Sequence, residues 1–156
     1  HRQPVHVRGY GEAHTHWTIA AMPDLARLTA AEIAGREALA MAGVRHDDID
    51  VVEVYDSFTI TVLLTLEALG FCKRGEGGAF VSDQRTAPGG AFPMNTNGGG
   101  LSYAHPGMYG IFLLIEAVRQ LRGECGPRQV KDAVTALVHG TGGTLSSGAT
   151  CILSTH

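Results

Sequence analysis

Asn95-Thr96-Asn97-Gly98-Gly99-Gly100-Leu101-Ser102-Tyr103-Ala104-His105-Pro106-Gly107-Met108-Tyr109-Gly110 is the stretch around which the chain is organised. Glycines surround one histidine and two tyrosines, and an apolar pattern follows directly. Gly98, Gly99 and Gly100 permit positive φ and close approach of a ligand to the backbone, while Pro106 fixes φ just after the histidine. From Tyr109 to Leu121, residues Ile111, Leu114, Ile115, Val118 and Leu121 recur at helical spacing, which predicts a helix on a sheet that ends near Gly123. His105 then belongs near the mouth of that helix, where amide donors collect and partial positive charge favours anions. Spacing alone leaves two roles open for such a histidine, structural hydrogen-bonder or catalyst.

Upstream, Ile49 to Tyr55 reads as a buried apolar strand interrupted by Glu53, with Ser57 able to cap a helix that carries Leu63, Leu64, Leu66 and Leu69 before a stop at Gly70. Tyr55 and Asp56 therefore fall at the C-terminal end of a strand, where open α/β sheets present side chains to ligands. A tyrosine there can equally be a core residue whose hydroxyl finds a backbone partner. Thr29-Ala30-Ala31-Glu32 has the form of a capping box, opening a helix through Ala38 and Met41 to a Gly43 C-cap. Pro4 to Gly11 alternates like a half-buried strand, and Glu12 to Leu25 reads as a long loop. His14-Thr15-His16 supplies two potential metal ligands, fewer than zinc sites use, so no metal is expected.

Phe71 to Met94 is long and glycine-rich, an excursion rather than a core element. Its Lys73 and Arg74 are open to two readings, phosphate contacts or a solvated surface pair. Downstream, Ala133 to Val138 is a short strand, Thr141 to Gly148 a glycine and serine loop, and Ala149 to Ser154 a closing strand.

At 156 residues the chain is long enough for one domain, 1–156, with a real core. A net charge of −3 without a basic cluster excludes a nucleic-acid footprint and a polybasic membrane signal. No apolar run reaches spanning length, and the N-terminus lacks the order of a signal peptide. Cys72, Cys125 and Cys151 are odd in number and widely spaced, which fits free thiols in a reducing compartment, and the cytoplasm is the expected location.

The Asn95–Gly100 turn followed by His105-Pro106-Gly107 resembles the thiolase signature, in which a glycine-rich turn carries a catalytic histidine in a Gly-His-Pro-x-Gly motif. Val52-Glu53-Val54-Tyr55-Asp56-Ser57-Phe58-Thr59 stands where thiolases have Asn-Glu-Ala-Phe. His139-Gly140-Thr141-Gly142-Gly143 stands where they have a cysteine and a glycine run. The resemblance implies an α/β fold, the C-terminal half of a thiolase, with a mixed five-stranded sheet and helices on its faces; the N-terminal half is then absent from this chain. Three departures narrow it: Tyr55 takes the place of the oxyanion asparagine, Tyr103 precedes His105 by two residues, and no cysteine stands near His139. Tyr-Asp-Ser-Phe and Ser-Tyr-Ala-His-Pro-Gly resemble the sterol carrier and lipid-transfer branch, whose members include aldolases acting on steroid side-chain acyl-CoA thioesters.

That branch implies Tyr55 and Tyr103 as acid and base, His105 as oxyanion donor, and His139, Gly140, Gly142, Gly143, Asn97 and Gly99 as an oxyanion or substrate loop. A coenzyme A thioester is then the substrate, with no covalently bound cofactor. The implied partners are the other thiolase half, a second copy in a homodimer and a small zinc-ribbon and OB-fold protein. Acyl transfer, and acyl-CoA or lipid binding without catalysis, are the competing readings.

Overall fold

A computed structural model describes residues 2–156. Four strands, β1 (His6–His14), β2 (Val51–Val54), β3 (Thr135–Gly142) and β4 (Ser147–Ser154), form one mixed sheet in the order β1-β4-β3-β2. β4 runs antiparallel to both neighbours, and β2 runs parallel to β3 with Val54 opposite His139. The helices are α1 (Thr29–Ala42), α2 (Thr59–Leu69), two single-turn pieces α3 (Gly77–Phe80) and α4 (Gly99–Ser102), and α5 (Gly110–Leu121).

Alternation along the strands divides the core in two. Val52, Val54, Leu137 and Ile152 pack against Ala38, Leu39 and Ala42 of α1 and Leu66 and Leu69 of α2. Val51, Ala136, Val138 and Leu153 face the other way, against Tyr109 and against Leu113, Ala117 and Leu121 of α5. α1 comes closest to the sheet because its contact face is alanine and because β1 offers glycine there: a Cβ on Gly9 or Gly11 would land on the carbonyl oxygens of Ala38 and Ala34.

The C-caps fall where expected, Gly43 at φ 68° and Gly70 at φ 86°, both left-handed. Other details differ for physical reasons. The fifth strand is reduced to one parallel bridge, Val52 to Met94, in which Val52 N–H donates to Pro93 O and Asn95 N–H to Val52 O. Pro93 brings no N–H and Asn95 turns left-handed at φ 45°, so the ladder stops on both sides of Met94. The capping box does not form. Thr29 is already helical, and Glu32 instead receives the Arg27 guanidinium through three N–O contacts of 2.9–3.0 Å. α2 begins at Thr59 rather than after Ser57, its first turn closed by the Thr61 hydroxyl on the Phe58 backbone.

β1 runs on to His14, and the β3–β4 turn shrinks to the residues between Gly142 and Ser147, because Glu12–His14 pairs with Ser147–Ala149. His14 uses its two ring nitrogens on Ser147 Oγ and Glu12 Oε1, and His16 binds Thr144 O, so both tie β1 to that turn. Among the described residues no group of three His, Cys, Asp or Glu is placed to hold a metal ion. Arg74 pairs with Asp24 at the surface. No helix of the described residues is long and apolar enough to cross a membrane.

Candidate active site

The site is built where β2 ends. One residue beyond Val54, the Tyr55 N–H donates to His139 O at 2.9 Å, so the parallel pairing of β2 with β3 holds the tyrosine in place through its backbone. Its ring turns to the α5 side, edge-on to Tyr109 at 5.8 Å between centroids. The His105 ring lies 5.7 Å from that of Tyr55 at an interplanar angle of 69°, and Phe58 stands 6.4 Å from the same imidazole. Tyr55 and His105 thus come together from strand end and loop, fifty residues apart in the chain.

The loop carrying His105 is fastened to β2 and the residues just after it at two points and closed on itself at a third. Asn95 behaves as a strand residue with its side chain: Oδ1 accepts from Val54 N–H at 2.8 Å and Nδ2 donates to Val54 O at 3.0 Å. Asp56, 4% exposed, accepts from Gly100 N–H at 2.7 Å and Leu101 N–H at 3.1 Å, satisfying free donors of the α4 turn. Asn97 Oδ1 accepts from Gly99 N–H at 2.8 Å, closing the turn locally. Gly99 sits between these groups at φ 63°, and a Cβ there would overlap Asp56 Oδ2 and stand 2.8 Å from Asn95 Nδ2. Asn97 and Gly99 therefore shape the loop, and Asp56, noted in the sequence only for its position at a strand end, is its anchor.

Tyr103 follows α4 and is 70% exposed, with no ring stacking or hydrogen bond to Tyr55 or His105 among the described residues. Tyr109 is buried with its hydroxyl unpartnered, and burial raises its pKa. His139 does not face this cluster. Strand alternation turns its ring to the α1 side, where Nδ1 meets Thr150 Oγ1 at 2.8 Å, Nε2 has no partner, and burial lowers the pKa to about 4. What His139 contributes to the site is its main-chain carbonyl. Gly140 follows on the α5 side, and a Cβ there would meet nothing within 4 Å, which leaves open space beside Tyr55. Gly142 lies in β3 facing Ser147, and Gly143 forms the turn beyond it.

The thiols are elsewhere. Cys151 is paired within the sheet between Tyr10 and Val138, Cys125 is buried against Glu116, and Cys72 packs beside α2; burial raises the pKa of all three, that of Cys125 to about 11. An open cleft of about 1090 Å³ borders Asp56, Asn97, Gly98 and Arg128 but is not lined by Tyr55, Tyr103 or His105.

Residues 11–155 match the family described as thiolase C-terminal domain-like. An acetyl-CoA acetyltransferase of Methanothermobacter thermautotrophicus is 40% identical over 152 residues, covering 97% of this chain and 40% of that protein. The 17-hydroxy-3-oxo-4-pregnene-20-carboxyl-CoA lyase of Mycobacterium tuberculosis is 43% identical over 101 residues, 65% of this chain and 26% of the lyase. A solved structure titled Ltp2-ChsH2(DUF35) aldolase superimposes with a TM-score of 0.85 at 31% identity, covering 99% of this chain and 40% of that one. The chain thus spans well under half the length of the relatives it matches, and those relatives include both acyltransferases and lyases. It belongs to the thiolase C-terminal domain-like family.

Proposed function

We propose that the chain forms the C-terminal half of a thiolase-like carbon–carbon lyase that cleaves β-hydroxy acyl-CoA thioesters by a retro-aldol reaction of the steroid side-chain type. The observation that carries this is the Tyr55–His105 pair, with open space at Gly140 beside it and the three thiols placed elsewhere. One tyrosine, Tyr55 or Tyr103, takes the proton of the β-hydroxyl as the Cα–Cβ bond breaks. The electron pair passes to the thioester as an enolate, and the β-carbon leaves as a ketone. The other tyrosine returns a proton to Cα, giving a shortened acyl-CoA. His105 donates to the enolate oxygen, a preorganised contact of the kind that supplies several kcal/mol. A tyrosine base at neutral pH needs donors that hold its phenolate, since the ordinary phenol pKa is about 10. Asn97, Gly99, Gly140, Gly142 and Gly143 border the substrate in this reading, and the N-terminal half, a second copy and a zinc-ribbon and OB-fold protein complete the assembly.

Acyl transfer is the second reading, favoured by the 40% identity to an acetyltransferase. Product analysis of the full-length protein with its OB-fold partner, on a β-hydroxy acyl-CoA bearing a bulky ring substituent, separates the two. A ketone and a shortened acyl-CoA formed without free CoA support the lyase, whereas cleavage that requires free CoA supports acyl transfer. Tyr55→Phe lowers turnover about 100-fold or more with substrate binding intact, the range expected for a lost acid–base group; unchanged turnover removes Tyr55 from the mechanism.

A further inference from the structure

Behind the loop, a polar cluster is sealed inside the α5 side of the sheet. Glu53 on β2 and Glu116 on α5 are 0% and 2% exposed, and one hydroxyl lies between them: Thr96 Oγ1 is 3.0 Å from Glu53 Oε1 and 2.8 Å from Glu116 Oε1. Gln120 Nε2 donates to the same Thr96 Oγ1 at 2.9 Å. Glu116 is the ionised member. Arg128 grips its two oxygens at 2.8 and 2.9 Å, and its pKa is lowered by Arg128 and Thr96 against the effect of burial.

Counting protons then assigns the rest. A threonine hydroxyl has one hydrogen to give and two lone pairs to receive with. Gln120 fills one lone pair, and the shorter contact, to an anion, takes the hydrogen. The third contact, to Glu53 Oε1, closes only if the hydrogen comes from Glu53. We propose that Glu53 is a carboxylic acid in the folded protein and that its proton, relayed through the Thr96 hydroxyl to Glu116, is the fastener that positions the Asn95–Gly100 loop behind the active site.

Burial raises Glu53 to about 8 against the opposing hydrogen bonds of Thr96, whose N–H also donates to Glu53 Oε1 at 3.2 Å, and Glu116 and Asp56 add smaller contributions in the raising direction. No cation faces it directly, since Arg128 is spent on Glu116. The Tyr109 hydroxyl and Cys125 thiol, the other titratable groups of the cluster, are neutral, their pKa values raised by burial. Glu53 Oε2 has no partner, which suits the carbonyl oxygen of an acid better than half of a carboxylate. Glu53 touches none of the reacting rings. It acts through Thr96 and is a positioning residue.

The inference is independent of the reaction proposed above, so its test uses no substrate. Infrared spectra of the full-length protein at neutral pH are expected to contain the carbonyl stretch of a protonated carboxyl. That band is lost in Glu53→Gln, kept in Glu116→Gln, and fades in the wild type as pH rises through about 8. Hydrogen exchange of the Thr96–Leu101 amides reads the positioning. Glu53→Leu speeds exchange about tenfold or more, as the loss of both Thr96 contacts in a local opening equilibrium does, whereas Glu53→Gln, which can still donate to the Thr96 hydroxyl and accept from its N–H, restores the wild-type rate. Absence of the acid band at neutral pH, its survival in Glu53→Gln, or equal loosening by Gln and Leu overturns the proposal. If Glu53→Leu fails to fold, the infrared spectra and the Glu53→Gln exchange rate still decide it.

Discussion

Asp56→Asn tests whether the loop that carries His105 is held by charge or merely by shape. The carboxylate receives two backbone donors, Gly100 N–H at 2.7 Å and Leu101 N–H at 3.1 Å, from a position only 4% exposed. Hydrogen bonds to an ionised group contribute about 1.5–3 kcal/mol each, neutral ones about 1 kcal/mol. Asparagine keeps one acceptor oxygen and turns an N–H toward the second donor. The first bond is weakened, the second is lost, and a buried donor is left unpaired, for a total of about 2–4 kcal/mol. At roughly 2–4 °C per kcal/mol for a chain of this size, the melting midpoint falls by about 5–15 °C. Turnover falls further than stability accounts for, because a reacting group displaced by about 1 Å costs about 100-fold. Thermal melting, with single-turnover rates measured well below the midpoint, separates the two effects. A midpoint within about 2 °C of wild type refutes the reasoning, since the lost bonds would then have been worth under about 1 kcal/mol.

Gly99→Ala costs more than Asp56→Asn, because it adds a strained left-handed residue, about 1–2 kcal/mol, to expulsion of the Asp56 carboxylate from under the loop; equal melting midpoints for the two variants contradict this. Arg128→Ala leaves Glu116 charged, buried and unpaired, and denaturant unfolding is expected to register a loss of about 3–5 kcal/mol. Two buried groups give opposite pH slopes. His139, lowered to about 4, stays neutral while the unfolded chain takes up a proton, so stability drops by about 3 kcal/mol as pH falls from about 6.5 to that value. Glu53, raised to about 8, keeps a proton the unfolded chain gives up, so its contribution is complete below about 4.5 and is lost as pH rises through about 8. Melting followed against pH therefore declines between about 6.5 and 8 in the wild type and flattens there in Glu53→Gln, while between about 4.5 and 6.5 the two slopes oppose and nearly cancel, so that His139→Asn exposes a decline that begins near 4.5.

Much of this was legible in the chain. Gly43 and Gly70 end their helices where the sequence puts left-handed stops. The Ile111–Leu121 pattern finds α5 but not its buried face, which is Leu113, Glu116, Ala117, Gln120 and Leu121 and leaves Ile111 and Ile115 exposed, because the polar Glu116 and Gln120 are turned inward into a hydrogen-bonded cluster. The Tyr55–His105 meeting follows from a strand end and a glycine turn brought together by parallel topology. Strand ends were less readable. The Thr141–Gly148 glycines and serines have loop composition, yet pairing with β1 and β4 keeps most of them in strands. His139 follows strand period and so turns away from the loop it adjoins in sequence. The Glu53 cluster had a signal, one glutamate inside an apolar strand, but its partners lie 43 and 63 positions away on separate elements. Only the fold shows that such a residue is solved as part of a group.

The side-chain pairing of Asn95 with Val54 has a consequence for how this scaffold can change. Because a side chain stands in for the missing strand, the main chain is released from sheet periodicity at that point and returns only where Asp56 holds Gly100 and Leu101. Residues 103–108 beyond it are exposed, and among them His105 packs its ring against Tyr55 and Phe58. The fold thus presents an exchangeable cassette with two fixed sockets, in which the residues flanking His105 can change in size and composition without disturbing the sheet that holds Tyr55.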